Sequence, residues 1–279
     1  MIPPLTVAVA LRVATTQLAA SPSARLDAEL LLAHCLGVTR TRLYSTPEFE
    51  LDGSVLSRFE TLVAARVQQT PLAYLLGEAE FWSLPLQVTP DVLVPRPETE
   101  LLVELALAAW PAARPGTLID LGTGSGAVAA ALAHERPALN IFASDLSAAA
   151  LTVAQGNFAH LGLVRIRCLR GDWLAAIAPA SCDVIVSNPP YVARGEPVDA
   201  AVSFEPSAAV YADDDGGAAL LAIIAHAPRC LKPGGFIALE HGHTQGPRVR
   251  ALLADRGLTR LESHRDLAGL ERVTSAWRD

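Results

Sequence analysis

Thr117-Leu-Ile-Asp-Leu-Gly-Thr-Gly-Ser-Gly-Ala127 is a short apolar run that passes an acid and breaks into closely spaced glycines. Behind it, residues 127–135 carry Ala, Val and Leu at helical spacing. A strand, a glycine turn and a helix N-terminus in that order open the doubly wound α/β sheets. Toward the C-terminus, strand candidates at 117–121, 140–145, 164–169 and 182–187 alternate with helices at 127–135 and 148–161. That alternation predicts a Rossmann-like, mostly parallel sheet covered by helices. A helix at 218–230, a turn at Pro233-Gly-Gly235, a strand at 236–240 and a helix at 245–256 follow. The last two strand candidates, 259–264 and 272–277, are joined by a short loop and predict an antiparallel hairpin at the sheet edge.

Toward the N-terminus, residues 98–110 read as a helix that starts directly after Pro97. Residues 71–97 hold Pro71, Pro85, Pro90, Pro95 and Pro97, which forbid long helices, and short alternating stretches at Glu80-Phe-Trp82 and Leu86-Gln-Val88. Residues 5–69 show only helical periodicity, with Leu26, Leu30, Leu31 and Cys35 sharing one face, Gly37 as a stop and Asp52 as a cap. The expected organisation is a helical bundle over 1–70, a hairpin linker over 71–97 and a catalytic α/β domain over 98–279.

Of the 279 residues, 51% are hydrophobic and 18% charged, enough apolar material for a sizeable core. The net charge of −7 opposes a broad electrostatic grip on nucleic acid, so no direct nucleic-acid binding is expected. The four cysteines show no C-x-x-C spacing, which points to reduced structural thiols and no metal. The first ten residues lack a basic segment and a cleavage site, and the apolar runs fall short of the roughly 20 residues that span a bilayer. A cytoplasmic monomer away from membranes is the expectation.

The glycine loop lets a ligand lie against bare backbone at a helix N-terminus, so Gly122, Thr123, Gly124, Ser125 and Gly126 are candidate cofactor contacts. Asp145 ends the second strand, where a carboxylate accepts ribose hydroxyls; a helix cap by Asp145 or Ser147 is the alternative. Asp172 and Trp173 follow the third strand and suit an adenine amino group and ring, or a loop acid beside a core Trp. These residues fit a nicotinamide dinucleotide as well as S-adenosylmethionine.

Asn188-Pro189-Pro190-Tyr191 separates the two, because it follows the fourth strand directly, at the crevice beside the first. Consecutive prolines fix two φ angles and remove two N–H donors. The loop is left with acceptors, the Asn188 side-chain oxygen and the Pro189 carbonyl, which suit a planar NH2 group. Held this way, an amide or aromatic amine nitrogen regains lone-pair density, a gain strongest in the transition state. Asn188 and Pro189 are therefore the catalytic candidates, Asn188 also adjoins the cofactor, and Pro190 and Tyr191 are expected to wall the substrate pocket. Hydride transfer has no use for such a loop.

Six stretches carry a resemblance: Phe81-Trp-Ser-Leu-Pro85, Val94-Pro-Arg-Pro-Glu-Thr-Glu100, Asp120-Leu-Gly-Thr-Gly-Ser-Gly126, Ser187-Asn-Pro-Pro-Tyr191, Phe204-Glu-Pro206 and Leu239-Glu-His-Gly242. Over essentially its whole length the chain resembles the HemK/PrmC N5-glutamine methyltransferases of peptide-chain release factors. The resemblance implies S-adenosylmethionine held by Gly122 to Gly126, Asp145, Trp173 and Asn188. It implies glutamine contact by Asn188 to Tyr191 and an N-terminal bundle that helps dock the release factor. Arg96 and Glu205 stay open between shaping the site and simple packing. The rivals are a ribosomal-protein glutamine methyltransferase, an adenine-N6 methyltransferase and a non-catalytic binding module.

Overall fold

The computed structural model describes residues 5–279; residues 1–4, where the expected bundle begins, lie outside the described residues. The chain divides into two compact units, one running to residue 77 together with 199–204, the other covering 78–198 and 205–279.

The first unit holds α1 (Val7–Gln17), α2 (Ala24–Leu36), α3 (Arg40–Ser45), α4 (Gly53–Val67) and α5 (Leu72–Leu76). The α4 start follows from Asp52, whose carboxylate accepts from the N–H of Ser54 at 2.8 Å and of Val55 at 2.9 Å. Gly37, at φ 64°, ends α2. Val7, Leu11, Leu31, Leu32, Val55, Phe59 and Val63 form the core. The buried face of α2 departs from the expected one: Leu31 and Cys35 point inward, but Leu26 is exposed and Asp27 and Glu29 are buried. Asp27 accepts from Arg66 at 2.8 Å, and Glu29 from Arg25, Arg40 and Tyr44 at 2.6–2.8 Å. Burial alone would raise both carboxyls, yet these hydrogen bonds outweigh it and hold them below their usual range.

The second unit opens with β1 (Glu78–Phe81) and β2 (Leu84–Gln87), an antiparallel hairpin. Two expectations are corrected here. The helical unit extends past residue 70, because Pro71 starts α5 and Gly77 ends it. The hairpin is no linker, because Phe81, Leu84 and Leu86 are buried in the second unit's own core. There follow α6 (Glu100–Ala109), β3 (Gly116–Leu121), α7 (Ala127–Glu135), β4 (Leu139–Asp145), α8 (Ala148–His160), β5 (Arg167–Arg170) and β6 (Cys182–Ser187). The two-residue strands β7 (Val192–Ala193) and β8 (Tyr211–Ala212) pair across the short helix α9 (Ser207–Val210). The chain ends with α10 (Ala218–Cys230), β9 (Leu231–Glu240), α11 (Gly246–Asp255), β10 (Thr259–Arg265) and β11 (Glu271–Arg278).

β5 starts later than expected, since Gly162 turns the chain at φ 71° and Val164 is exposed. β9 starts earlier: the Pro233-Gly-Gly235 turn is absorbed as a register shift inside the strand, with Gly234 at φ 73°. The sheet order is β10-β11-β9-β6-β3-β4-β5, parallel from β9 to β5, with β11 antiparallel to β9 and β10 antiparallel to β11. Alternation along each strand sorts side chains into two layers. Leu118, Val184, Val186 and Ala238 face one core with α6, α7 and α8, while Ile119, Ile185, Ile237 and Leu239 face the other with α10 and α11.

Asn157 of α8 joins the hairpin to the glycine loop after β3. Fully buried, it accepts from Gln87 N–H at 2.7 Å and donates to the carbonyls of Gln87 and Ser125, each at 2.9 Å. Asn157→Ala leaves these groups without partners and is expected to cost about 2–3 kcal/mol, read as a lower urea midpoint with an unchanged far-UV spectrum.

Candidate active site

Beyond the C-terminal ends of β3, β4 and β6 lies a cavity of about 360 Å³. The location follows from the topology: β3 leads to β4 and β5 on one side while β6 leads to β9 on the other, and loops diverge where the direction reverses.

The glycine loop forms one wall. Gly122 sits at φ 68°, and a Cβ there would meet the Trp173 ring at 3.2 Å. Gly126, at φ 84°, would press a Cβ against Phe158 at 2.6 Å. These two positions require glycine for backbone and space alike. Thr123, Gly124 and Ser125 also line the cavity; Gly126 does not, lying just behind at the start of α7. Asp145 is braced from both sides, one oxygen accepting from Gly124 N–H at 3.0 Å and the other from Ser147 N–H at 2.9 Å. Ser147, not Asp145, caps α8. Asp172 and Trp173 complete this side.

The loop after β6 forms the opposite wall, anchored where the Ser187 hydroxyl donates to the Leu121 carbonyl at 2.7 Å. Asn188 and Pro190 line the cavity, whereas Pro189 and Tyr191 do not, which corrects the expectation for Tyr191 as a wall. The Tyr191 hydroxyl is drawn the other way and donates to Glu240 at 3.3 Å. Asn188 Nδ2 donates to the Thr99 hydroxyl at 3.0 Å. That bond fixes the amide's orientation and leaves its oxygen as the available acceptor.

A third wall comes from Phe81, Val92, Leu93, Pro95 and Arg96. Glu205, itself buried, accepts from Arg96 at 2.5 Å and from Val94 N–H at 3.2 Å, and so ties this segment to the Phe204-Glu-Pro206 loop. Thr99, Asp120 and Glu240 escaped the sequence reading. Asp120 stands inside the quoted glycine stretch, but nothing in the pattern shows that its carboxyl is buried beside the cavity.

Burial pushes the Asp120 carboxyl up to about 7, and the charge of Asp145 adds to the rise, against the Thr123 hydroxyl and the Ala129 N–H. No group of His, Cys, Asp and Glu among the described residues is arranged to hold a metal ion, and none of their helices is long and apolar enough to cross a membrane.

Two family models match the chain, the PrmC N-terminal domain over residues 9–77 and the methyltransferase small domain over residues 98–217. The release factor glutamine methyltransferase of Escherichia coli (strain K12) is 44% identical over 266 residues, covering 95% of this chain and 96% of that one. That of Burkholderia pseudomallei (strain K96243) is 44% identical over 265 residues, covering 92% and 93%. Among solved structures, the ribosomal protein L11 methylase of Lactobacillus delbrueckii subsp. bulgaricus aligns with a TM-score of 0.50 at 22% identity over 69% of this chain and 83% of that one. A methyltransferase from Pyrococcus furiosus gives a TM-score of 0.52 at 17% identity over 70% and 88%. These structural likenesses concern the fold alone: the sheet is that of a Rossmann-like methyltransferase.

A carboxyl raised from 3.8 to about 7 keeps, in the folded chain, a proton that the unfolded chain has already lost. Its contribution to stability is complete below about pH 4 and is lost as the pH climbs through about 7. Asp120→Asn cannot ionise and escapes that loss. Relative to wild type, the variant is expected to gain stability steadily from about pH 4 to about pH 8 in chemical denaturation series; a difference independent of pH is the contrary result.

Proposed function

The chain belongs to the release factor glutamine methyltransferase family, and from that premise we infer that it methylates the side-chain amide nitrogen of the glutamine in the Gly-Gly-Gln motif of peptide-chain release factors, with S-adenosylmethionine as donor. The observation that carries this reading is the hold on Asn188: its Nδ2 is committed to Thr99, and its oxygen remains to accept beside the glycine loop.

The residues around the cavity fit the cofactor. A side chain at Gly122 would fill the space under Trp173, so the bare backbone there leaves room for a flat group. Asp145, preset by two backbone N–H groups, is placed for ribose hydroxyls, and Asp172 with Trp173 for adenine. Asp120 offers a buried acid toward a cationic ligand, whose charge would stabilise the ionised carboxylate. When bound, S-adenosylmethionine supplies a methyl group on an activated sulfonium, which leaves alignment as the protein's main task.

An amide nitrogen is a poor nucleophile because its lone pair is delocalised. In our reading Asn188 Oδ1, which lines the cavity, accepts one N–H of the glutamine, and the carbonyl of Pro189, a residue of the same loop outside the lining, is the candidate acceptor for the other; the pair returns density to nitrogen and aims it. The benefit grows as the nitrogen becomes pyramidal, so it favours the transition state over the bound substrate. The two prolines keep competing N–H donors out of the loop. Orientation of this kind is worth on the order of 7–11 kcal/mol when near-attack geometry is reached. Pro190 borders the glutamine, and Tyr191 braces the loop from behind. The N-terminal helical unit helps dock the release factor, and the enzyme works as a cytoplasmic monomer on a protein partner, in keeping with its net charge of −7.

Asn188→Ala is expected to bind S-adenosylmethionine nearly as tightly as wild type and to lose roughly 100-fold or more in kcat, the scale of removing one transition-state hydrogen-bonding group. Calorimetry reads the first quantity. Mass spectrometry of a release factor, looking for a methyl on the Gly-Gly-Gln glutamine, reads the second; undiminished transfer would sink the role given to Asn188.

A further inference from the structure

Two prolines in succession deprive the loop after β6 of two N–H donors, so Asn188-Pro-Pro-Tyr191 has to be fastened largely from outside itself. At its entry the Ser187 hydroxyl donates to the Leu121 carbonyl. At its exit the fastening comes from Gln245, the residue that precedes α11. Gln245 Nε2 donates to the Tyr191 carbonyl at 3.1 Å and to the Asp215 carbonyl at 3.3 Å, while its Oε1 accepts from Gly242 N–H at 2.9 Å. All three partners are backbone groups of fixed sense, two carbonyls that only accept and an N–H that only donates. The Gln245 amide therefore has one orientation.

The turn before α10 closes on the same carbonyl. Asp214, Asp215 and Gly216 take left-handed φ angles of 56°, 51° and 78° in succession, a conformation that non-glycine residues keep only where their surroundings impose it. Arg248 of α11 holds this turn, donating to the Asp214 carbonyl at 3.2 Å and pairing with the Asp214 carboxylate. A Cβ on Gly216 would fall 2.1 Å from the Tyr191 oxygen, so bare backbone lies against it on this side. Closing the 242–245 turn does not require the Gln245 side chain, because the Gln245 N–H already donates to the Gly242 carbonyl at 2.8 Å. The rings of Pro189 and Pro190 fix their φ angles, which leaves the ψ angles as the loop's main freedom, set by where its two ends are held. Resting on the functional reading of Asn188 and Pro189 given above, we propose that Gln245 is a positioning residue for methyl transfer. Its amide fixes the Tyr191 carbonyl and, through the two prolines, the direction in which the Pro189 carbonyl faces. No bond forms or breaks at Gln245. A loop released at this end keeps its acceptors and loses their aim, and a misplacement of about 1 Å costs on the order of a hundredfold in rate.

Two crossed substitutions in the full chain separate the bonds. Gln245→Glu keeps the acceptor for Gly242 N–H and turns a carboxylate on the Tyr191 and Asp215 carbonyls; Gln245→Lys keeps a donor for those carbonyls and gives up the Gly242 bond. The measurements are kcat and KM on a release factor, cofactor Kd by calorimetry, melting temperature, and the 13C resonance of the Tyr191 carbonyl, detected through the Val192 N–H. Gln245→Glu is expected to lower kcat by roughly ten- to a hundredfold, with cofactor Kd within about twofold, and to move the Tyr191 resonance upfield as its hydrogen bond is lost. Gln245→Lys should hold kcat within about threefold of wild type and leave that resonance near its place. A Gln245→Glu enzyme within about threefold of wild type in kcat overturns the proposal, as does an equal loss in both variants, an unmoved Tyr191 resonance, or a loss of cofactor affinity and melting temperature in parallel with kcat. If Gln245→Glu does not fold, Gln245→Ala, which removes both bonds without adding charge, takes its place against Gln245→Lys. A wild-type enzyme that leaves the glutamine unmethylated refutes the functional reading instead, and the Tyr191 resonance then judges the hold of Gln245 alone.

Discussion

The parallel pairing of β3 with β6, in register from Leu118 opposite Val184 to Leu121 opposite Ser187, is the constraint on which the site depends. It places the two chain ends that leave these strands side by side, one entering the glycine loop and the other entering Asn188-Pro-Pro-Tyr191. The Ser187 hydroxyl locks the last rung by donating to the Leu121 carbonyl. A slip of one residue would turn Val184 and Val186 into the opposite layer and exchange the two cores, so burial on both faces enforces the register. The glycine loop and the Asn188-Pro-Pro-Tyr191 loop are thus held together by the buried centre of the sheet.

Around that junction the structure spends polar groups in the interior where an apolar core would be cheaper. Asn157 fastens the β1–β2 hairpin to the glycine loop, and Glu205 ties the Val94-Pro-Arg96 segment to the Phe204-Glu-Pro206 loop. Asp120 and Glu240 sit with carboxyls raised to about 7. Buried polar groups cost stability unless fully satisfied, and what they return is direction, since each hydrogen bond permits one arrangement of donor and acceptor. The helical unit treats its buried acids differently. Asp27 and Glu29 are surrounded by hydroxyls and guanidinium groups that hold their pKa values down.

The segment between the helical unit and α6 shows why composition misleads. Its prolines rightly exclude long helices, but prolines do not say whether a stretch is a tether or a wall. Phe81, Leu84 and Leu86 decide the matter by being buried, and Phe81, Val92 and Arg96 then line the cavity. The same limit applies to α2, where Leu26 matches the helical spacing and is exposed, while Asp27 and Glu29 break it and are buried. Spacing counts hydrophobicity and cannot anticipate that arginines from α3 and α4 arrive to pair the acids.

By itself the sequence determined what depends on local rules. Period-two apolar runs alternating with period-3.6 runs specified the parallel sheet, closely spaced glycines specified a turn bare enough for a ligand, and paired prolines after Ser187 specified a loop of acceptors. These follow from steric and hydrophobic constraints that act within a few residues. Only the tertiary structure decided which groups meet across long separations. Thr99 and Asn188 stand 89 positions apart, and Tyr191 and Glu240 stand 49 apart. Whether the Asn188 amide shows its oxygen or its nitrogen to the cavity depends on a hydroxyl from a distant element, a relation that no periodicity records because it exists only once the fold has brought the two together.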